Sequence, residues 1–400
     1  MNLPSDFILR TRELLGDAEF AALTEALEKD TPVSIRMNTD KCGLVPQEGT
    51  SVPGVAKDIT CPVVRRLRLT PCFMRAAIMC RKLRPCSWNR RYVSMCTGRH
   101  DARFVRGSGR KIYLARSILP EGSLLVANEV MRNRSQVLAE NLIKWGNPGV
   151  IVTNNDPADF TELGPLFDVI LTDVPCSGEG MFRKDEVAVQ EWSIENVDTC
   201  WQRQRRILRD IWPCLKTGGL LIYSTCTYNR EENEDNVAWI AQELGAEVLP
   251  LETQPDWCIT GNLTGTEFPV YRFLPHKTTG EGLFMAVLRK TADEPAVSVR
   301  TKTGGKASKK GKGGKVVALQ VPKEMKAWVQ GAGDYVFEVN DSEAMAFPAA
   351  YKDTYDLLKS QLRILHAGIS LGELKGKDWQ PSHALAMSTV FERDSFPMLN

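Results

Sequence analysis

The chain has 400 residues, 43% of them hydrophobic and 25% charged, with a formal net charge of +2. That length suggests two or three domains, and the balance is that of globular material, which excludes collagen-like and wholly disordered chains. No run approaches the roughly 18 apolar residues of a membrane helix. The opening Met1-Asn-Leu-Pro4 has no basic stretch followed by an apolar one, so a cytoplasmic protein is expected rather than a secreted one.

Residues 3 to 29 carry apolar side chains at helical spacing, and Pro32 to Asn38 alternates as a strand does. From about Lys41 to Arg116 neither period survives for long. Between Cys61 and Arg116 there are 13 arginines, and Asp101 is the only acid, a composition that suits a basic RNA-binding region. Six of the 11 cysteines also fall between Cys42 and Cys96. Their spacing never gives Cys-x-x-Cys, so no zinc site is expected, and a chain without a leader is not expected to form disulfides.

From Ile118 regular patterning resumes. Apolar runs end at Glu129, at Thr153 shortly before Asp156, at Asp173 and at Ser224, with helical patterns at 130–145, 198–215 and 231–244 and a late strand at 282–288. Apolar strands alternating with helices predict an α/β fold with a parallel sheet covered on both faces. Residues 301 to 315 contain six lysines among glycines, a solvated tether by composition that is also able to touch phosphates. A smaller domain follows to Asn400 and ends without an identifiable closing element.

In open α/β sheets ligands sit beyond the carboxyl ends of the strands. Glu129, Asp156 and Asp173 fall there, and acids at these positions suit a nucleoside-bearing cofactor, although such acids also cap helices. Two cysteines join them, Cys176 in Asp173-Val-Pro-Cys176 and Cys226 in Ser224-Thr-Cys-Thr227. A lone cysteine usually packs as a small hydrophobe. Two at neighbouring strand ends beside an acid offer more. C5 of cytosine attacks an electrophile only after a nucleophile has added at C6. One thiolate supplies that addition, and a second group removes the C5 proton so that the first can leave.

Asp173-Val-Pro-Cys-Ser-Gly-Glu-Gly180 and Tyr223-Ser-Thr-Cys-Thr-Tyr-Asn229 resemble the paired cysteine motifs of the Sun-type RNA cytosine-C5 methyltransferases. Pro32 to Asn38, Arg272-Phe-Leu-Pro-His276 and Gly280-Glu-Gly282 are also similar to segments of that family. His366 to Lys375 and Asp378 to His383 resemble the carboxyl-terminal region of its bacterial small-subunit ribosomal RNA methyltransferase F subgroup. The likeness covers about residues 1–40 and 113–400. It implies a Rossmann-like core dependent on S-adenosylmethionine (SAM), with Cys226 as nucleophile and Cys176 assisting product release. Asp173 would contact the base near the SAM site, and Glu129 and Asp156 would hold the ribose and adenine. Small-subunit ribosomal RNA is the implied partner, with no metal and no membrane.

The resemblance implies this layout: an amino-terminal helical and strand region (1–41), an anomalous basic segment (42–112), the methyltransferase core (113–290), a Lys/Gly linker (291–320) and a small α+β RNA-binding domain, shortened at its end (321–400).

One family feature is missing. A loop close to Leu-Asp-Leu-Cys-Ala-Ala-Pro-Gly-Gly-Lys belongs about twenty residues before the ribose acid, where this chain has Ala102-Arg-Phe-Val-Arg-Gly-Ser-Gly-Arg-Lys111. Glycines admit close backbone approach to a cofactor, and arginine side chains obstruct it. Codons for residues 102–111, read one base later, can spell the family loop. Codons for 72–91, read two bases later, can spell Phe-His-Ala-Gly-Gly-His-Tyr-Val-Gln-Glu-Ala-Ser-Ser-Met-Leu-Leu-Glu-Pro-Ala, which resembles the family's preceding segment. Residues 42–112 therefore read as frame-shifted. Such a segment is expected to leave the core without a central strand and SAM binding weak. The alternative function is an inactive RNA-binding remnant. A nicotinamide-type Rossmann enzyme is disfavoured, because no Gly-x-Gly-x-x-Gly follows a strand.

Overall fold

The computed structural model describes residues 1–30, 33–38, 41, 50–51, 58–60, 78–82, 103–106, 116, 119–292 and 320–396. Most of the basic segment, the Lys/Gly stretch from 293 to 319, and residues 397–400 lie outside it, and so do the side chains of the cysteines between 42 and 96.

The first helical stretch is two helices, α1 (Ser5–Leu15) and α2 (Asp17–Glu28). Gly16 separates them at φ 81°, a left-handed backbone that only glycine adopts cheaply. Phe7, Leu23 and Leu27 face inward and pack with Phe182 and Trp192, so this region is attached to the core. Strand β1 (Val33–Met37) follows the helices. It pairs antiparallel with β3 (Asp58–Thr60) and β4 (Ile78–Lys82), and β2 (Thr50–Ser51) extends β3.

The core strands are β5 (Arg103–Arg106), β6 (Leu124–Asn128), β7 (Val150–Thr153), β8 (Phe167–Asp173), β9 (Leu215–Thr225), β10 (Ala246–Val248), β11 (Tyr271–Phe273) and β12 (Leu283–Lys290). With β15 (Ile364–Ala367) they form one sheet in the order β10-β12-β9-β8-β5-β6-β7-β15, with β11 attached to β12. The pairs joining β7, β6, β5, β8 and β9 are parallel, and β12 joins β9 antiparallel. Side chains alternate between the two faces as strand geometry requires. Leu125, Ala127, Val150, Val152, Val169 and Leu171 enter one core cluster. Leu124, Val126, Ile151, Phe167 and Ile170 enter the other. Burial on both faces is why these strands read as unbroken apolar runs.

The expectation of a missing central strand is overturned. Arg103–Arg106 lies between β6 and β8, with Val105 in register with Val126 on one side and Ile170 on the other. The physical reason is that a ladder is made of main-chain groups. Leaving the slot empty would orphan the N–H and C=O rows of two buried strands, and four residues of almost any identity can satisfy them. Likewise β3 and β4, from the same basic segment, pair with β1 rather than standing apart from the fold.

Among the core helices, α3 (Arg132–Trp145), α4 (Glu186–Gln190), α5 (Ile194–Ile211) and α6 (Glu234–Glu243) cover the sheet or its carboxyl edge. The long helix starts and stops four residues earlier than the sequence pattern suggested. Ser193 caps its start by accepting from Asn196 N–H, and Pro213 turns its end into a 3-10 turn leading directly into β9. The carboxyl-terminal region comprises α7 (Lys323–Lys326), β13 (Tyr335–Asn340), β14 (Glu343–Pro348), α8 (Lys352–Gln361), β15, β16 (Ile369–Lys375), β17 (Asp378–Pro381) and α9 (His383–Ala386). Its antiparallel sheet runs β13-β14-β16-β17, while β15 leaves it to extend the core sheet beside β7. The expected α+β unit from 321 onward is thus joined to the core through a shared sheet.

Candidate active site

Strands β6 to β9 run parallel, so their carboxyl ends share one edge of the sheet, and all five residues singled out from the sequence lie there, Asp173 as the last residue of β8 and the other four in the loops that follow the strands. Glu129 directly follows β6 and is buried. Its Oε1 accepts Met131 N–H at 3.0 Å and its Oε2 pairs with Arg134 at 2.9 Å. Asp156 follows β7 and is partly exposed. It caps the 3-10 helix Pro157–Leu163, accepting from Ala158 N–H at 3.1 Å, so the capping role available to strand-end acids is realised here. Asp173 ends β8, in register with Ser224 of β9.

Cys176 and Cys226 come together. Their Sγ atoms lie 3.0 Å apart although 50 residues separate them in sequence, and Cys226 N–H points to Cys176 Sγ at 3.4 Å. The contact to Cys226, with burial next, pushes the Cys176 thiol well above the usual thiol range. Cys176 therefore holds its proton at neutral pH. Cys200 and Cys214 are buried elsewhere, and Cys214 donates to Phe160 C=O, so neither belongs to the pair.

The two cysteine loops meet through their backbones as well. Gly180 N–H donates to Cys226 C=O at 2.7 Å. A Cβ on Gly180 would stand 2.6 Å from that carbonyl oxygen and 2.8 Å from Glu281 C=O, both backbone atoms that cannot swing aside. The glycine of the Cys-Ser-Gly-Glu-Gly motif is thus required for close approach.

Two site residues escaped the sequence reading, Glu179 and Glu232. Both carboxylates are buried beneath the cysteine loops. Burial pushes the Glu232 carboxyl up to about 7, against hydrogen bonds from Ser177 and Asn229 that pull it down. A local signal was available for Glu232. Asn229 stands three residues before it, and Asn229 Oδ1 accepts Glu232 N–H at 2.9 Å, the turn that Asn-x-x-Glu favours. A carboxyl whose folded pKa exceeds its unfolded value binds its proton more tightly in the fold. Its stabilising contribution is fully present below the unfolded value near 4.5 and is lost as pH rises toward about 7. Urea titrations at about pH 5 and about pH 7.5 are expected to show a lower midpoint at the higher pH, with the difference reduced in Glu232→Gln.

An adenosine-bearing cofactor needs acceptors for its ribose hydroxyls and its exocyclic amine. Glu129 and Asp156 present acceptor-only carboxylates at adjacent strand ends, and their recorded bonds leave lone pairs for ribose hydroxyls or an exocyclic amine. The described residues fit that half of the group. Residues 107–111, where the family glycine loop belongs, lie outside the described residues.

Residues 106–289 match the family described as 16S rRNA methyltransferase RsmB/F. The chain is similar to the ribosomal RNA small subunit methyltransferase F of Vibrio cholerae, at 29% identity over 312 residues, covering 72% of this chain and 63% of that protein. It is 32% identical over 293 residues to the protein of the same name from Escherichia coli, covering 70% and 57%. The chain thus spans less than two thirds of the length of these curated relatives. Among solved structures, NSun6 from Pyrococcus horikoshii with SFG superposes with a TM-score of 0.59 at 17% identity, covering 72% of this chain and 99% of that one. A methyltransferase homologue from the same organism gives 0.57 at 23%, covering 72% and 100%. These two likenesses establish the Rossmann-like methyltransferase fold.

Proposed function

We propose that this chain, which resembles the Sun-type methyltransferases and matches the RsmB/F family over residues 106–289, transfers a methyl group to C5 of a cytosine in small-subunit ribosomal RNA. The observation that supports this reading best is the 3.0 Å approach of two thiols from separate motifs at the carboxyl edge of the sheet. One thiol is held protonated, which suits it to serve the other.

In this reading Cys226 is the nucleophile. Its thiolate adds to C6 of the cytosine, forming the S–C6 bond and placing the electron pair on C5. SAM, when bound, supplies the methyl group that C5 takes up. The C5 proton must then pass to a base at the site, a carboxylate or a solvent water. As it does, the electron pair re-forms the C5–C6 double bond, the S–C6 bond breaks, and Cys226 is returned as thiolate. Cys176, beside Cys226, assists that release. Asp173, three residues before Cys176, faces the base, and Glu129 and Asp156 take the ribose and adenine of the cofactor. A cytosine in folded RNA has to leave its stack to reach Cys226. The carboxyl-terminal sheet and the basic segments are read as RNA contacts that deliver it.

The test is methylation of unmodified small-subunit RNA, naked and assembled, by the purified chain with labelled SAM, followed by bisulfite sequencing. A single protected cytosine is the expected outcome. Label incorporated at another base, or on a transfer RNA only, would overturn the proposal.

A further inference from the structure

The two cysteine loops are held together by buried carboxylates that cross over. Glu179 follows Cys176 in sequence, yet it grips the chain after Cys226. Its Oε2 accepts the N–H groups of Tyr228 and Asn229 at 2.5 and 3.0 Å, and its Oε1 accepts Trp192 Nε1 at 3.1 Å. Glu232 follows Cys226, yet it grips the chain after Cys176, where both its oxygens take Ser177 N–H at 3.1 and 3.3 Å. Gln204 completes that grip. Its Nε2 donates to Pro175 C=O at 2.9 Å and to Glu232 at 2.6 Å, so the peptide groups on both sides of Cys176 are fixed. The Asn229 side-chain amide sits between the carboxylates, 3.0 Å from Glu179 Oε1 and 2.8 Å from Glu232 Oε1.

We infer that Glu179 and Glu232 are positioning residues, a reciprocal clasp that sets the separation of Cys176 and Cys226. The proposal rests on the catalytic reading of the two thiols given above. Neither carboxylate needs to touch RNA or cofactor. Both are fully buried, at 1% and 0% exposure, and their bonds run to backbone and side chains of the two loops. Burying two acids side by side is unfavourable unless each is well supplied with donors. A fold that only needed to join the loops has cheaper apolar solutions. Carboxylates add direction, because Glu232 fixes the N–H next to Cys176 and Glu179 fixes those two and three residues after Cys226, rather than the general approach of two surfaces. The raised pKa of Glu232 agrees with this cost of burial.

The test uses the full chain and two isosteric variants, Glu232→Gln and Glu179→Gln. Each turns one acceptor oxygen into a donor facing an N–H and leaves the other grip in place. The first readout needs neither RNA nor cofactor. Diamide takes up two protons and two electrons as two thiols become a disulfide, and the peptide linked through Cys176 and Cys226 is quantified by mass spectrometry over time. Closure is expected to slow at least about fivefold in both variants, with melting temperatures within a few degrees of the parent, since effective concentration falls steeply with misplacement. The second readout is turnover. A kcat lowered about 10- to 100-fold is expected, with KM for RNA and SAM within about threefold, together with a trapped RNA–protein adduct. Closure rates equal to the parent's in both variants would overturn the clasp, and so would slowing seen only with collapsed melting. If the parent closes rapidly but methylates no cytosine, the functional reading fails while the clasp stands.

Discussion

Cys226→Ala is expected to abolish methyl transfer, by about 10⁴-fold or more, because in the proposed reading Cys226 adds to C6 and the neighbouring Cys176, 3.0 Å away, serves its release. Cys176→Ala is expected to give a different defect. Addition and methylation should proceed, but release should stall, so a covalent RNA adduct accumulates and migrates slowly on a denaturing gel. In the proposed reading, the contact to Cys226 and the loss of water around the sulfur raise the Cys176 pKa, which makes it a poor nucleophile and a neighbour able to exchange a proton. Adduct in Cys226→Ala rather than in Cys176→Ala would reverse the two assignments. No adduct in either, with activity retained, would remove the covalent mechanism altogether.

Replacing residues 102–111 by Leu-Asp-Leu-Cys-Ala-Ala-Pro-Gly-Gly-Lys is expected to tighten SAM binding by at least about tenfold, or about 1.4 kcal/mol, measured by calorimetry on both proteins. The reason is steric and electronic: a glycine turn lets main-chain N–H groups approach the ligand's carboxylate, and the acid of the loop balances the ligand's positive charge. In this chain Arg103, Arg106 and Arg110 stand in that stretch instead. The β5 backbone already occupies the central slot of the sheet, so the replacement changes the side chains and the turn without changing the sheet order. Equal affinities in the two proteins would mean that the arginine-bearing stretch serves as well, and the frame-shift explanation of its composition would lose its functional consequence.

The sequence alone determined the parallel core and the residues at its carboxyl edge. Strands buried on both faces must be apolar throughout, and the first polar residue after each run marks where it leaves the sheet. That logic places Glu129 and Asp173 at strand ends, with Cys226 two residues past Ser224, and the structure brings these strand ends to one edge. The motif glycine at 180 was legible as a glycine, but its reason, a carbonyl 2.6 Å from where a Cβ would lie, was not. Only the tertiary structure decided three further matters. Arg103–Arg106 became the central strand because ladder bonds depend on backbone and not on side chains. The strand Ile364–Ala367 left its own neighbours to extend the core sheet at β7, a pairing more than 200 residues apart that no local pattern records. The crossed grips of Glu179 and Glu232 likewise join segments about 50 residues apart. Periodicity registers which side of an element is buried, whereas contacts between distant segments follow from how the whole chain packs.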